Sequence, residues 1–340
     1  MPVPSLPLRL AVAEPAAVRP EAGHGYEPKL DGWRCLIHVP ARAVQSRTGS
    51  DLTGRFPGVL EAAATLGRVV LDGEIVAYRE GRLDFAALGY GPVRRRAEGV
   101  TVVFVAFDLL GARGRDLRTS PYSRRRERLE AVIGAGNAGV QLMRSTLDVE
   151  PARAWISAEQ AAVGVEGALA KPLGSRYPLR GGRAGWVKVR HFDDVDAPVL
   201  GVTGSPTRPT ALVLGQTDRR GQVRAVGLST TLSRPALASL AGRLQLAPGG
   251  PVRASGVVAG LPGNEAFTYW PVEPGVVVEA RADSAFELGR YRHRLTVVRA
   301  KPFTTRPGAP GLGSSSWSRC STSCGRVRIV AAHDGVTLGA

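Results

Sequence analysis

The texture of the chain changes at His191, and no other feature limits its fold so tightly. Up to that point, β-prone runs alternate with amphipathic helical spacing. Beyond it come short β-prone runs at 199–202, 211–214, 223–226, 276–279 and 295–298, with Gly-rich turns between them and one helix near 235–245. Several short strands plus one helix in about 110 residues is the profile of a small barrel. A length of 340 residues also suits two domains, since domains usually run to roughly 100–200 residues. Residues 1–190 and 191–303 are therefore expected to be separate domains. Residues 304–340 are rich in Gly, Ser and Pro with little periodicity, and are expected to form a disordered tail.

In the first part, residues 1–25 read as an extended arm. A strand is expected at 33–39 and a second ending at Gln45-Ser46-Arg47. Phe56, Val59, Leu60, Ala63 and Leu66 keep helical spacing, and Gly67 stops the helix. Residues 68–78 read as two buried strands around a tight Asp72-Gly73 turn. An apolar strand follows at 100–110, a basic helix at 122–133 and helical spacing at 150–163. Strand-like runs then appear at 167–170 and 186–190.

The balance of 45 Lys and Arg against 29 Asp and Glu gives a net charge of +16. Such a surface attracts polyanions, and nucleic acid is the first partner to consider. The basic residues are spread along the chain and form no amphipathic membrane anchor. No run approaches the roughly 18 apolar residues of a membrane span, and nothing resembles a signal peptide. Of three cysteines, Cys35 sits in an apolar run and reads as buried, while Cys320 and Cys324 lie in the tail. No disulfide framework is implied, which fits a reducing cytoplasm.

The chemistry begins at Lys29-Leu30-Asp31-Gly32-Trp33-Arg34. A lysine attacks phosphorus only as the neutral amine, and a cationic neighbourhood favours that form. Gly32 lets backbone approach a phosphate, and Arg34 offers a planar fork for ribose or phosphate. Read singly, this is as well a surface lysine before a turn. Further segments follow in order. Ser46-Arg47-Thr48 ends a strand with a cation and hydroxyls. Asp72-Gly73-Glu74 supplies a carboxylate for a ribose or a metal. Phe107-Asp108 offers an aromatic face, and Glu166 stands in Glu166-Gly167-Ala168-Leu169-Ala170-Lys171 as a second hard oxygen ligand. In Trp186-Val187-Lys188-Val189-Arg190 the alternation puts Lys188 and Arg190 on one face.

This series resembles the covalent nucleotidyltransferase superfamily, and most closely the small bacterial ATP-dependent DNA ligases of the repair type. The resemblance runs from about residue 5 to residue 302. It implies an α+β fold: an adenylation domain of antiparallel sheets with helices, ending near Arg190, and then an OB-fold β-barrel. It implies that Lys29 attacks the α-phosphate of ATP to form lysyl-AMP. Glu27 would fix the adenine, Phe107 would stack on it, and Arg34 and Glu74 would hold the ribose. Arg47 would take a phosphate or the nick end. Lys188 would meet the α-phosphate and Arg190 would neutralise the triphosphate. Glu166 and Glu74 would bind Mg²⁺, with Mn²⁺ as the alternative. The implied partner is nicked duplex DNA, with repair-complex proteins beside it. The molecule is expected to be a monomer in the cytoplasm, associated with the nucleoid. Arg94 and Arg95, and Arg124 and Arg125, are candidate DNA backbone contacts, a solvated helix face being about equally good.

The family's last motif lies at the end of its OB domain, with alternating basic residues and then an aspartate that together orient pyrophosphate. Arg290, Arg292, His293 and Arg294 are candidate phosphate contacts, and Arg299-Ala300-Lys301 sits where the basic pair belongs. Phe303 stands where the aspartate is expected. Charging by ATP is therefore expected to be slower than sealing of a pre-adenylated nick. Two other readings share most of these residues: an RNA ligase or capping-type enzyme, and a ligase-derived protein that binds DNA ends without catalysis.

Overall fold

The computed structural model describes residues 2–15, 23–218, 221–254, 266–287 and 289–302. The expectations for the tail from 304, for Cys320 and Cys324 and for Phe303 lie outside these residues. The chain forms two compact units, Met1–His191 and Phe192–Ala340.

The first unit contains β1 (Ala11–Pro15), β2 (His24–Leu30), β3 (Trp33–His38), β4 (Ala43–Ser46), α1 (Pro57–Ala64), β5 (Val69–Arg79) and β6 (Arg82–Leu83). It continues with α2 (Pro92–Ala97), β7 (Thr101–Ala112), β8 (Arg115–Asp116), α3 (Tyr122–Ile133) and β9 (Val140–Leu142). It ends with α4 (Val149–Ala154), α5 (Ala158–Ala162), β10 (Val165–Pro172) and β11 (Gly182–Arg190). A seven-stranded sheet runs β4-β3-β5-β7-β8, with β6 beside β5 and β9 parallel to β7. A four-stranded sheet runs β1-β11-β10-β2, antiparallel except for the β1–β11 pair.

Strand alternation divides the large sheet between two cores. Ile37, Leu71, Ile75, Phe104 and Leu109 pack against α1 and α3, where Val59, Leu60, Leu129 and Ile133 meet them. Their neighbours Leu36, Val70, Val76, Val105 and Phe107 face the other way, toward Leu10, Tyr177 and Trp186. Burying each large apolar side chain contributes about 1.5–3 kcal/mol. Strands buried on both faces read as nearly continuous apolar runs, as β7 does apart from Asp108.

The expected turn at Asp72-Gly73 is not there. Residues 69–79 form one strand, paired with β3 on one side and β7 on the other. Gly73 serves close packing instead: a Cβ there would stand 2.4 Å from the Phe104 ring. The helical spacing at 150–163 resolves into the two short helices α4 and α5.

The N-terminal segment is tied down by side chains. Gln45 brackets Leu8, accepting from its N–H at 2.8 Å and donating to its carbonyl at 2.6 Å. His38 holds the carbonyl of Pro4 at 2.8 Å.

The second unit contains β12 (Phe192–Ser205), β13 (Arg208–Thr217), β14 (Val223–Leu228), α6 (Arg234–Leu240), β15 (Val252–Ala254) and β16 (Phe267–Pro271). After these come β17 (Val277–Asp283), β18 (Phe286–Glu287), β19 (Arg290–Tyr291) and β20 (Thr296–Ala300). The first half of β12 pairs with β17 and its second half with β13. β13 pairs with β14, and β17 with β20. The circuit closes where Ser229 bridges Leu295 in parallel, with Thr230 N–H donating to the Leu295 carbonyl at 2.7 Å. Val202, Leu212, Leu214, Val278, Ala280 and Leu295 fill the interior, and α6 covers one end of it with Ala236 and Leu240.

Candidate active site around Lys29

Register brings the reactive residues together. On β2, β10 and β11, Lys29 stands opposite Gly167, and Gly167 opposite Arg190; Glu27, Leu169 and Lys188 form the second row along, on the same face. Lys29 Nζ donates to Glu166 Oε2, and Arg190 lies 3.8 Å from the same oxygen. The Lys29 side chain is 20% exposed, so a substrate can reach it. Burial, and then the charges of Arg190, Lys29 and Arg47, push the Lys188 ammonium below its ordinary range, while Glu166 opposes them. Arg47 is exposed on the turn that follows β4. Three cations thus act on Lys188, and one carboxylate opposes them.

Two glycines make this approach possible. Gly167 has φ of +149°, and a Cβ on it would come 1.9 Å from the Val189 carbonyl oxygen. A Cβ on Gly32 would lie 2.7 Å from Glu74 Cγ. Glu74 is half-buried beneath this turn. Burial pushes its carboxyl up to about 8, against the pull of Lys29 and Arg34.

The other expected ligands form the layer beneath. Arg34 grips Asp72 with Nε and NH2 at 3.1 and 2.7 Å, and gives NH1 to the Ala11 carbonyl at 2.7 Å. Burial would lower its pKa, but Asp72 holds it above the ordinary value. The guanidinium is therefore committed to protein rather than open to a ribose. Phe107 is buried, with Arg34 at 5.2 Å and Lys171 Nζ at 4.4 Å from its ring centre. The structure shows it as the packing partner of two cations and of Trp186, not as an exposed stacking face. Glu27 is fully buried. Its carboxylate takes the Tyr122 hydroxyl at 2.5 Å and lies 2.5 Å from Lys171 Nζ. Lys171 is wholly buried too, and burial lowers its pKa while Glu27 and Asp108 oppose.

Two of the four candidate DNA contacts are corrected. Arg125 is fully buried, bound to Asp108 at 2.7 and 2.8 Å and to the carbonyls of Ser120 and Ser175. Arg95 is buried over the Phe56 ring and donates to the carbonyls of Ala87 and Leu88. A guanidinium held under the surface by carbonyls or a carboxylate cannot reach a phosphate backbone. Arg94 and Arg124 are exposed, each paired locally with Glu98 and Glu127 respectively. In the second unit, Arg299 and Lys301 pair with Glu279 at 3.0 Å and Asp196 at 2.6 Å, and His293 pairs with Asp283 at 2.6 Å.

The sequence segments included Asp72, Asp108 and Lys171 but gave them no role, and Tyr122 and Tyr177 lay outside those segments. The available signal was a charge inside an otherwise apolar strand, which has to find a partner. Among the described residues no three His, Cys, Asp or Glu side chains gather as a metal cage. Two carboxylates beside a cationic phosphate site still suit Mg²⁺, which keeps waters and is commonly held by one or two carboxylates together with substrate phosphates.

A reachable lysine bound to one carboxylate, with Lys188 and Arg190 on the adjoining strand, is an arrangement suited to phosphate chemistry. The family model described as the ATP dependent DNA ligase domain matches residues 11–190, more than half of the chain. The chain belongs to the ATP-dependent DNA ligase family. It is 30% identical to DNA ligase C of Mycobacterium tuberculosis over 318 residues, 84% of this chain and 87% of that protein. It is 34% identical to the multifunctional non-homologous end joining protein LigD of Pseudomonas aeruginosa over 218 residues, 61% of this chain and 25% of that protein. A solved Lig E DNA ligase, 16% identical, shares the fold with a TM-score of 0.53 over 86% of this chain and 99% of that one. The chain spans 61%, 87% and 25% of the lengths of the first three curated relatives. No helix among the described residues is long and apolar enough to cross a membrane.

Proposed function

We propose that this chain seals nicks in duplex DNA by way of a lysyl-AMP and a DNA-adenylate. The observation that carries the reading is the row Lys29, Gly167, Arg190, with Glu166 bound to the Lys29 amine and Lys188 two rows away on the same face. The neutral amine of Lys29 attacks the α-phosphorus of ATP. An N–P bond forms, the bond to the bridging oxygen breaks, and pyrophosphate leaves. The adenylate then passes to a 5′-phosphate, and the neighbouring 3′-hydroxyl displaces AMP. Lys188, Arg190 and Arg47 stabilise charge that develops on the transferred phosphoryl oxygens. Glu166 and Glu74 would hold Mg²⁺, or Mn²⁺, which supplies positive charge to the leaving phosphates. Glu27, Arg34 and Phe107 support this centre from below.

The second unit is read as an OB fold. Its circuit β12-β13-β14-β20-β17, with α6 between β14 and β17, supports that reading. Residues 1–190 then form the adenylation domain, and 191–303 the domain that helps hold DNA. A role in end joining or other repair is supported by the name of the LigD relative. A cytoplasmic, nucleoid-associated monomer fits this role.

The test incubates the full chain with radiolabelled ATP or GTP, and then with a nicked duplex. ATP should leave on Lys29 a covalent label that survives alkali and is released by acid, as a P–N bond requires, and the nick should close. Lys29→Ala should abolish both. A GTP-only adduct would point to capping-type chemistry, and nick closure by Lys29→Ala would refute the mechanism.

A further inference from the structure

Asp72, Arg34 and Tyr177 close a ring around Ala11. Asp72 is wholly buried and accepts three hydrogen bonds, two from Arg34 and one from the Tyr177 hydroxyl at 2.7 Å. The two donors meet again at the N-terminal strand. Arg34 donates to the Ala11 carbonyl at 2.7 Å, and the Ala11 N–H donates to Tyr177 Oη at 3.1 Å. Both backbone groups of one residue are thus held by two side chains that share a single carboxylate. Burial and the Asp72 charge push the Tyr177 phenol far above its ordinary range, so the hydroxyl keeps its proton and its role as donor. Its ring packs edge-on to Trp186 of β11 at 5.9 Å.

Ala11 opens β1, which among the described residues is an edge strand paired with β11 alone. The pairing sets Pro15 opposite Lys188 and Glu14 opposite Val187. Whatever fixes β1 therefore bears on the strand that carries the two phosphate-facing cations. Tyr177 lies outside every segment that carried the sequence resemblance. We propose that Tyr177 is a positioning residue for nucleotide transfer: by closing the ring on Ala11 it fixes β1, and through the Pro15–Lys188 pairing of β1 with β11 the placement of Lys188 relative to Lys29. This rests on the reading of the site as a nucleotidyl-transfer centre.

Tyr177→Phe keeps the ring against Trp186, but removes a donor from a buried carboxylate and an acceptor from a backbone N–H. Ala11→Pro removes that N–H from the other side and leaves Tyr177 and Asp72 in place; proline is tolerated as the first residue of an edge strand. The measurement is single-turnover formation of the Lys29 adduct from labelled ATP by the full chain. It is made for both variants in the parent and in a Lys188→Ala background. Displaced phosphate contacts should slow the parent reaction by roughly tenfold or more. In the Lys188→Ala background the same changes should alter the rate by less than about twofold, because residues acting along one path are not additive. Wild-type rates in both variants would overturn the proposal, and so would an equal loss in the two backgrounds, the mark of a general structural role. Absence of any adduct on the wild-type chain would instead overturn the functional reading and the proposal with it.

Discussion

At the scale of the residue, Glu74 shows how burial and charge compete. Its carboxyl is raised to about 8 by burial. A carboxylic acid raised in the folded state favours folding while it is protonated. That contribution is whole below the unfolded value of about 4.3 and is lost as pH rises toward the folded value. Removing the charge by Glu74→Gln should therefore leave stability nearly unchanged at pH 4.5. At pH 8.5 it should raise the metal-free protein by roughly 2 kcal/mol, less than the full shift because the site is partly open to solvent. Denaturant melts at the two pH values would check this, and a gain that shrinks with pH would contradict it. The arginines show what pattern alone leaves open. Arg124 and Arg125 are adjacent in a basic run, yet one is exposed and the other wholly buried on Asp108. Successive helical positions face different ways, and nothing local tells which of them meets an acid 17 residues back. Lys29, Arg47, Glu166, Lys188 and Arg190 were legible because their residue types suit phosphate chemistry. Tyr177 was not, because its work passes through a hydroxyl and a neighbouring strand.

At the scale of the element, Gly167 is the tightest point of the site. Its positive φ and the Val189 carbonyl 1.9 Å from a would-be Cβ allow no side chain. Gly167→Ala should cost about 3 kcal/mol or more, since it combines backbone strain with overpacking. Gly174, with open space around its Cβ direction, should accept alanine within about 0.5 kcal/mol. Thermal melts of the two variants would separate them, and equal melting temperatures would count against the close approach of β10 and β11. Element type was readable wherever periodicity ran long, as in α1, α3 and β7. It failed at Asp72-Gly73, because a glycine needed for a turn and one needed for a neighbouring ring look alike in sequence. The alternation that betrays strands also carries no record of their partners. Closure of the second unit rests on a few bonds between 228–230 and Leu295.

At the scale of the whole molecule, a net charge of +16 acts together with local sites. A protein that makes six to ten phosphate contacts should lose roughly 10³–10⁵ in affinity for nicked duplex between about 50 and 200 mM salt. Fluorescence titrations across that range would measure the slope, and a flat line would mean that the charge does not serve DNA. The four-stranded sheet has a further consequence. It takes β1 and β2 from the first 30 residues, and β10 and β11 from 165 to 190. Lys29 therefore leaves the ribosome long before Glu166, Lys188 and Arg190 exist. At roughly 5–20 residues per second its strand waits on the order of ten seconds for the sheet that completes it. On the proposed mechanism a nascent or truncated chain would carry the nucleophile without the residues that load it, and a fragment ending before residue 165 should take no label from ATP.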